Sequence, residues 1–296
     1  MLPNWYNEYK KFIENSIMDY LKNYLDNKTS SALENFKWII FYSVLWWKRI
    51  RSILALEFFL IFSKKKFKQI KQNDDIIKFC IALEIIHSYS LIHDDMPCID
   101  NDSYRRWELT VWKKYWENNA LLVWDLLNSI AFEILSEIKD PILAKELTNL
   151  VSRSVWFYWA LGWQVEDTYF EKNIEELDRN ILKKLHNKKT WALIKASILW
   201  WIILWWKTKN LDDYEKFAKN IWLAFQIKDD ILDVEWTKEE TGKSVWWEKK
   251  WFVYFLWIKK SKKELDKIIE ESLDLIKAIK SEKLNFITNY IKDRKK

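Results

Sequence analysis

Apolar residues recur at helical spacing along most of the chain. In the stretch 76–95, for instance, Phe79, Leu83 and Ile86 are three or four positions apart and mark one buried helical face. Strand signals are nearly absent, since runs of period two are few and no Asn-Gly or Asp-Gly turn occurs. The pattern predicts helices near 5–26, 31–61, 74–95, 117–138, 141–170, 174–186, 189–206, 211–235, 261–280 and 283–293.

Helix-start signals support an all-α interpretation. Ser31, Asn173 and Ser261 are each followed three positions later by glutamate, the spacing of a capping box. No linker rich in Pro, Ser or Gly divides the 296 residues, and this length can bury a sizeable core. We therefore predict a single domain over 1–296, a helical bundle around a central cavity.

Composition excludes few classes. The net charge of +6 is mild and the lysines are dispersed, so nucleic acid is not predicted as a partner. Cys80 and Cys98 lack metal-site spacing and suggest a reducing compartment. The N-terminus does not resemble a signal peptide, and the apolar run 198–206 is too short to span a membrane. These features predict a cytoplasmic protein without a membrane span.

Four aspartates follow the apolar helix predicted over 74–95: Asp94, Asp95, Asp100 and Asp102, with Arg105-Arg106 directly behind them. Unpaired carboxylates are costly to bury, so this cluster must be solvated, paired with cations or bound to metal. An oxygen-only donor set suits Mg²⁺, and arginine forks suit phosphate. The alternative for this stretch alone is a capped, solvated acidic turn.

A second acidic cluster strengthens the metal hypothesis. Asp229, Asp230 and Asp233 interrupt the apolar helix predicted over 211–235. Residues four apart lie about 5–6 Å from each other on one helix face, so Asp229 and Asp233 could grip one cation. Two such clusters, each ending or interrupting an apolar helix, are a much stronger signal than either alone.

The ratio of glycine to tryptophan is abnormal. The chain has 2 glycines and 22 tryptophans, whereas average usage of about 7% predicts roughly 21 glycines. Several tryptophans form pairs in loop-like places, such as Trp46-Trp47 and Trp246-Trp247. We hypothesise that many are glycine codons, with UGA read as tryptophan although the organism uses it for glycine.

The two motifs, DDMPCID with RR behind it and FQIKDDILD, resemble the aspartate-rich motifs of trans-isoprenyl diphosphate synthases of the bacterial type. The resemblance covers about 30–293 and includes KRIR at 48–51, KT at 189–190 and GKS at 242–244. Ser52 replaces a common proline, and Trp112 falls where the family is not limited to glycine. Family glycines appear as tryptophan at 46, 47, 107, 116, 124, 159, 163, 191, 222 and 257; the chain with glycine there is called the glycine form below.

The resemblance implies the head-to-tail condensation of isopentenyl diphosphate with an allylic diphosphate to give farnesyl diphosphate, in a homodimer that uses Mg²⁺. It implies a catalytic set comprising Asp94, Asp95, Asp100, Asp229, Asp230, Asp233 and Lys189, with metal at Asp94, Asp95, Asp100, Asp229 and Asp233. For the allylic diphosphate it implies Arg105, Lys189, Thr190, Lys228 and Lys243, assisted by Gln226. For the homoallylic diphosphate it implies Lys48, Arg51, His87 and Arg106.

Product length is expected to depend on Tyr89, five residues before Asp94. In the family an aromatic residue there resembles the stop for farnesyl length, whereas a smaller one suggests geranylgeranyl. The alternative function is therefore a geranylgeranyl diphosphate synthase. A non-catalytic helical subunit or metal scaffold would be expected to lack one acidic cluster or the basic residues, and this chain has both.

Overall fold

A computed structural model describes residues 2–26, 30–45, 48–105, 107–155, 160–173, 176, 193–199, 211–235 and 251–294. The chain divides into two compact units, Met1–Thr148 and Asn149–Lys296. The described residues are almost entirely helical, as the apolar periodicity predicts. The prediction of one domain around a central cavity stays a prediction.

The first unit is built on a buried central helix. Its elements are α1 (Asn4–Tyr24), α2 (Ser31–Val44), α3 (Ile50–Ser63), α4 (Asp75–Asp95), strands β1 (Tyr104–Arg105) and β2 (Glu108–Leu109), α5 (Val111–Tyr115), α6 (Glu117–Ser136) and the start of α7 (Pro141–Val155). Helix α4 packs against α1, α2, α3 and α6. Because neighbours surround it, apolar residues such as Ile77, Phe79 and Leu83 are fully buried on several of its faces.

The second unit centres on a pair of long helices. Helix α8 (Ala160–Lys172) and helical residues 193–199 precede α9 (Leu211–Glu235), which packs along α10 (Trp251–Ile276) and against α11 (Glu282–Asp293). Across the α9–α10 contact, Glu271 accepts from Asn220 Nδ2 at 3.0 Å and pairs with Lys216. The bond from Lys216 is the main reason that the pKa of Glu271 is lowered.

The predicted helix over 31–61 is wrong as one element, because the chain breaks between Val44 and Ile50. Leu45 is extended at ψ 170°, and Arg49 is left-handed at φ 59°. The apolar pattern runs on through the break and conceals it. This break matters, since Lys48 and Arg51 lie at its far end.

A small antiparallel hairpin was also missed. Tyr104 pairs with Leu109, and Arg105 with Glu108, across a two-residue loop. Each strand has two residues, too few for a period-two signal. The hydroxyl of Thr110 and the indole N–H of Trp112 both donate to the Asp102 carbonyl, at 2.7 and 2.8 Å, and secure the base of the hairpin.

Helices α4 and α6 are long and apolar enough to cross a membrane by length and composition. The apolar window of α4 is 67% buried and that of α6 is 39% buried. Core helices of folded domains meet the same two criteria, so this is weak evidence for a span. The expectation that nothing spans a membrane stays a prediction.

Backbone angles support the glycine hypothesis at three sites. Trp107, Trp116 and Trp257 have φ of 73°, 73° and 62°, which is a genuine outlier for a bulky residue. Trp116 and Trp257 combine this with ψ of 156° and 153°, a region that essentially only glycine visits. Trp107 lies in the two-residue hairpin loop, where positive φ favours glycine. All three side chains are exposed, so no burial of the indole offsets the strain.

We predict that Trp116→Gly and Trp257→Gly each raise the free energy of unfolding of the tryptophan-containing chain by about 1–3 kcal/mol, because each change removes backbone strain. Trp112→Gly is the matched control: its residue is helical and its indole is hydrogen-bonded, so this change should destabilise. Urea unfolding of the three variants measures the effect. Equal destabilisation in all three would contradict the hypothesis, as would intact tryptophan at 46, 47 and 107 in peptides of the native protein.

Candidate active site

The first acidic cluster lies at the carboxyl end of α4. Asp94 and Asp95 are the last two residues of the helix, and a compact turn follows. The backbone N–H of Asp100 donates to the Asp94 carbonyl at 3.0 Å, and Asn101 N–H donates to the Met96 carbonyl at 3.0 Å. Asn101 has φ 53°, a conformation that asparagine tolerates. The turn therefore brings the backbone of Asp100 beside that of Asp94.

Asp95 is bound by Arg105. The arginine Nε donates to Asp95 Oδ1 and Oδ2 at 2.9 and 3.0 Å, and its Nη2 also contacts Oδ1. Burial would lower the pKa of Arg105, but Asp95, Asp102 and Asp94 raise it well above the ordinary value. Asp95 is 4% exposed, so a buried carboxylate is compensated by a fixed cation. The structure thus joins two residues to which the resemblance gives separate roles, metal for Asp95 and diphosphate for Arg105.

The basic residues predicted at 48–51 lie at the start of α3. Lys48 and Arg51 are half-buried, whereas Arg49 between them is only 2% exposed. The Tyr6 hydroxyl donates to the Lys48 carbonyl at 2.7 Å, which anchors the segment to α1. His87 lies on α4, two turns before Asp94.

Tyr89 faces α6. Its ring stacks on that of Trp124 at 5.7 Å with an interplanar angle of 17°, and His93 lies 5.0 Å from the same indole. Burial raises the pKa of Tyr89, and Asp125 and Asp94 raise it further against an opposing hydrogen bond with Trp124. Tyr89 is thus partly enclosed by the neighbouring helix, next to the acidic end of α4.

The second acidic cluster lies near the carboxyl end of α9. Asp229 Oδ1 accepts from Arg294 Nη2 at 2.6 Å, and the same nitrogen donates to the Phe225 carbonyl at 3.0 Å. The Arg294 guanidinium also sits 4.9 Å from the centre of the Phe225 ring. Burial lowers the pKa of Lys228, and the charge of Arg294 lowers it further. Asp230 is buried, and Gln226 is half-buried on the same helix.

Several predicted residues lie outside the described part of the chain: Arg106, Lys189, Thr190, Lys243 and the side chain of Asp233. Within the described part, no three His, Cys, Asp or Glu side chains converge closely enough to form a ready cation site. The donor chemistry still fits Mg²⁺, because each cluster offers carboxylate oxygens alone. Asp94 and Asp229 keep 21% and 51% of their side chains exposed and so remain accessible.

Three important residues were not singled out from the sequence. Glu84, in the apolar stretch 81–86, and Arg49 are both buried and joined by an ion pair of 3.3 Å. Arg294 follows the last helix and binds Asp229. A lone glutamate in an apolar run was the only available signal for Glu84. For Arg294 there was none, since its partner is 65 positions away.

The described residues are largely α-helical. They place one acidic cluster at the end of α4, a second within α9, and basic residues at the start of α3. Proteins with this combination of groups form a class suited to metal–diphosphate chemistry. The family model for polyprenyl synthetase matches residues 34–290. The chain belongs to the polyprenyl synthetase family, as the motifs predict.

Individual relatives agree with this assignment. A farnesyl diphosphate synthase of Micrococcus luteus is 37% identical over 230 residues, covering 75% of this chain and 78% of that one. An FPP/GFPP synthase structure from Zymomonas mobilis matches with a TM-score of 0.81 at 27% identity, over 97% and 98% of the two chains. A Helicobacter pylori geranyltransferase, solved with magnesium and isoprenyl diphosphate, matches with 0.77 at 28% identity, over 95% of each. This likeness confirms the all-α fold class.

We predict that Arg294→Ala destabilises the protein by about 1–2 kcal/mol, because Asp229 and the Phe225 carbonyl lose a charged donor while Asp229 stays half-solvated. Arg153→Ala, at an exposed arginine of α7, is the control and should change little. Thermal unfolding compares the two. An equal, small effect for both variants would show that the Arg294 contact contributes nothing measurable.

Proposed function

We propose that this protein is a magnesium-dependent farnesyl diphosphate synthase that condenses isopentenyl diphosphate with dimethylallyl and then geranyl diphosphate. One observation carries the proposal: oxygen donors accumulate at the end of α4, beside the ion pair of buried Asp95 with half-buried Arg105, in a chain of this family. The second cluster on α9 supplies further carboxylates. The family assignment itself favours a prenyltransferase over a non-catalytic subunit.

In this proposal Asp94, Asp100 and Asp229 hold Mg²⁺, with Asp233 contributing and Asp95 and Asp230 nearby. The ion, when bound, neutralises the charge that develops on diphosphate as the allylic C–O bond breaks. Arg294 must share or release Asp229 when the site fills, because it now binds that carboxylate. Asp95 acts mainly by fixing Arg105, to which it is already bound.

The chain's cations bind the two substrates. Arg105 and Lys228, with Lys189, Thr190 and Lys243 and assisted by Gln226, hold the allylic diphosphate. Lys48, Arg51, His87 and Arg106 hold isopentenyl diphosphate. Holding both substrates together supplies the proximity that the new carbon–carbon bond requires. The proton lost in that step goes to the departing diphosphate, since the sequence offers no evident protein base.

The test is an assay of the glycine form with isopentenyl and dimethylallyl diphosphates and Mg²⁺. Farnesyl diphosphate is the expected product, and removal of the metal with EDTA should abolish its formation. The control is Glu166→Gln on α8, a carboxylate outside both clusters, which should retain activity. If folded protein formed no prenyl product, the proposal would be wrong.

The length of the prenyl product provides a sharper prediction. In the glycine form, Tyr89→Ala should shift the product toward geranylgeranyl diphosphate, because the aromatic ring five residues before Asp94 is removed. Ser90→Ala is a neighbouring control, since the Ser90 hydroxyl donates only within the helix, to the His87 carbonyl at 2.8 Å. Product chromatography reads out the length. Unchanged farnesyl length in Tyr89→Ala would reject Tyr89 as the stop, and geranylgeranyl product from the parent would favour the alternative synthase.

We also propose a cytoplasmic homodimer. Leu121 and Leu122 on α6 are 43% and 53% exposed, and we propose that these two adjacent apolar side chains form part of the dimer interface. Leu121→Glu with Leu122→Glu should convert the dimer to monomer in size-exclusion chromatography with light scattering. Leu33→Glu on α2, at a residue with 52% exposure, is the control. A parent protein that is monomeric at micromolar concentration would contradict the dimer.

A further inference from the structure

Glu84 is a carboxylate in the interior of the first unit. It lies on α4, is 1% exposed, and is surrounded in sequence by apolar residues. A charge in such a place is retained only when donors compensate it. Its Oε1 accepts from the Ser52 backbone N–H at 3.2 Å and from the Ser52 hydroxyl at 2.8 Å. Its Oε2 accepts from Arg49 Nη1 at 3.3 Å.

Both partners of Glu84 belong to the start of α3. Arg49 occupies the N-cap position in a left-handed conformation, and no side chain of its own segment caps the helix. The first N–H groups of a helix lack partners within it. Glu84 supplies one acceptor from another helix, and its charge suits the positive end of the α3 dipole.

The remaining contacts fix the same segment from other sides. Arg49 Nη2 donates to the Val44 carbonyl at 2.6 Å, at the end of α2, and Arg49 Nε lies 3.6 Å from Glu14 on α1. The Tyr6 hydroxyl binds the Lys48 carbonyl at 2.7 Å. The Cys80 carbonyl of α4 lies 2.9 Å from the Ser52 hydroxyl and is a second acceptor for its single proton. Segment 48–52 is thus fastened to α1, α2 and α4 together.

The same α4 helix carries Glu84, His87 and the acidic end at Asp94. Building on the proposed function, we propose that Glu84, acting through Arg49 and Ser52, is a positioning residue for isopentenyl diphosphate. It fixes Lys48 and Arg51 relative to α4, and so to His87. It does not touch the substrate, because it is buried and its oxygens are taken by α3. Loss of the contact between α3 and α4 displaces the charged groups of Lys48 and Arg51. A displacement of 1 Å can cost about a hundredfold in reaction rate.

The test compares variants in the full-length glycine form. Glu84→Gln keeps the size of the side chain and removes its charge. Ser52→Ala removes the hydroxyl and keeps the backbone N–H that Glu84 also accepts from. Glu57→Gln is the matched control, because Glu57 is a buried carboxylate of α3 that accepts from Tyr9 at 3.3 Å. Ser16→Ala is the matched control for serine, with its hydroxyl bound within α1.

We expect Glu84→Gln to raise the KM and the calorimetric dissociation constant for isopentenyl diphosphate by about tenfold or more, with the KM for dimethylallyl diphosphate nearly unchanged. Ser52→Ala should raise the same two constants by a smaller factor. Glu57→Gln and Ser16→Ala should leave both KM values unchanged, even if the melting temperature falls.

Unchanged affinity for isopentenyl diphosphate in Glu84→Gln would overturn the inference, as would equal weakening of both substrates. If Glu84→Gln does not fold, Ser52→Ala decides by the same readouts. Normal turnover by the parent with a negative result in the variants rejects the positioning role alone. A folded parent without prenyl product rejects the proposed function, and the inference falls with it.

Discussion

The carboxylates of α4 impose the constraint on which this structure depends. The helix is buried among its neighbours, so each buried carboxylate it carries needs a compensating cation or donor. Glu84 is compensated by Arg49 and Ser52, and Asp95 by Arg105. Each carboxylate binds a different segment of the chain: Glu84 binds the start of α3, and Asp95 binds the hairpin. Charge compensation therefore determines where the basic residues of the site lie.

The second unit follows the same rule with another arginine. Arg294 is 7% exposed and binds Asp229, and its guanidinium lies 4.9 Å from the centre of the Phe225 ring. Burial lowers the pKa of Lys228, and the charge of Arg294 lowers it further. A diphosphate anion arriving with its metal would relieve this crowding of cations and provide Asp229 with a new partner. The described contacts thus pair protein cations with two of the carboxylates in the clusters, Asp95 and Asp229.

Sequence periodicity predicted the long helices well, because α1, α6, α9 and α11 carry apolar residues at helical spacing and α4 carries a nearly continuous apolar run. It missed the break before Ile50, where apolar residues continue through a turn, and the hairpin at Tyr104, whose strands are too short to show alternation. The acidic motifs were visible because their residues are adjacent in sequence. The Glu84–Arg49 and Asp229–Arg294 pairs, 35 and 65 positions apart, depend on tertiary packing that no local pattern encodes.

We propose that each aspartate cluster binds a divalent cation together with diphosphate. A crystal structure of the glycine form with Mn²⁺ and inorganic diphosphate, using the anomalous signal of manganese, tests it most directly. We expect manganese bonded to Asp94 and Asp100 at the end of α4 and to Asp229 on α9, with diphosphate bound beside the metal. Manganese bound at a single cluster, or diphosphate bound away from both, would contradict it.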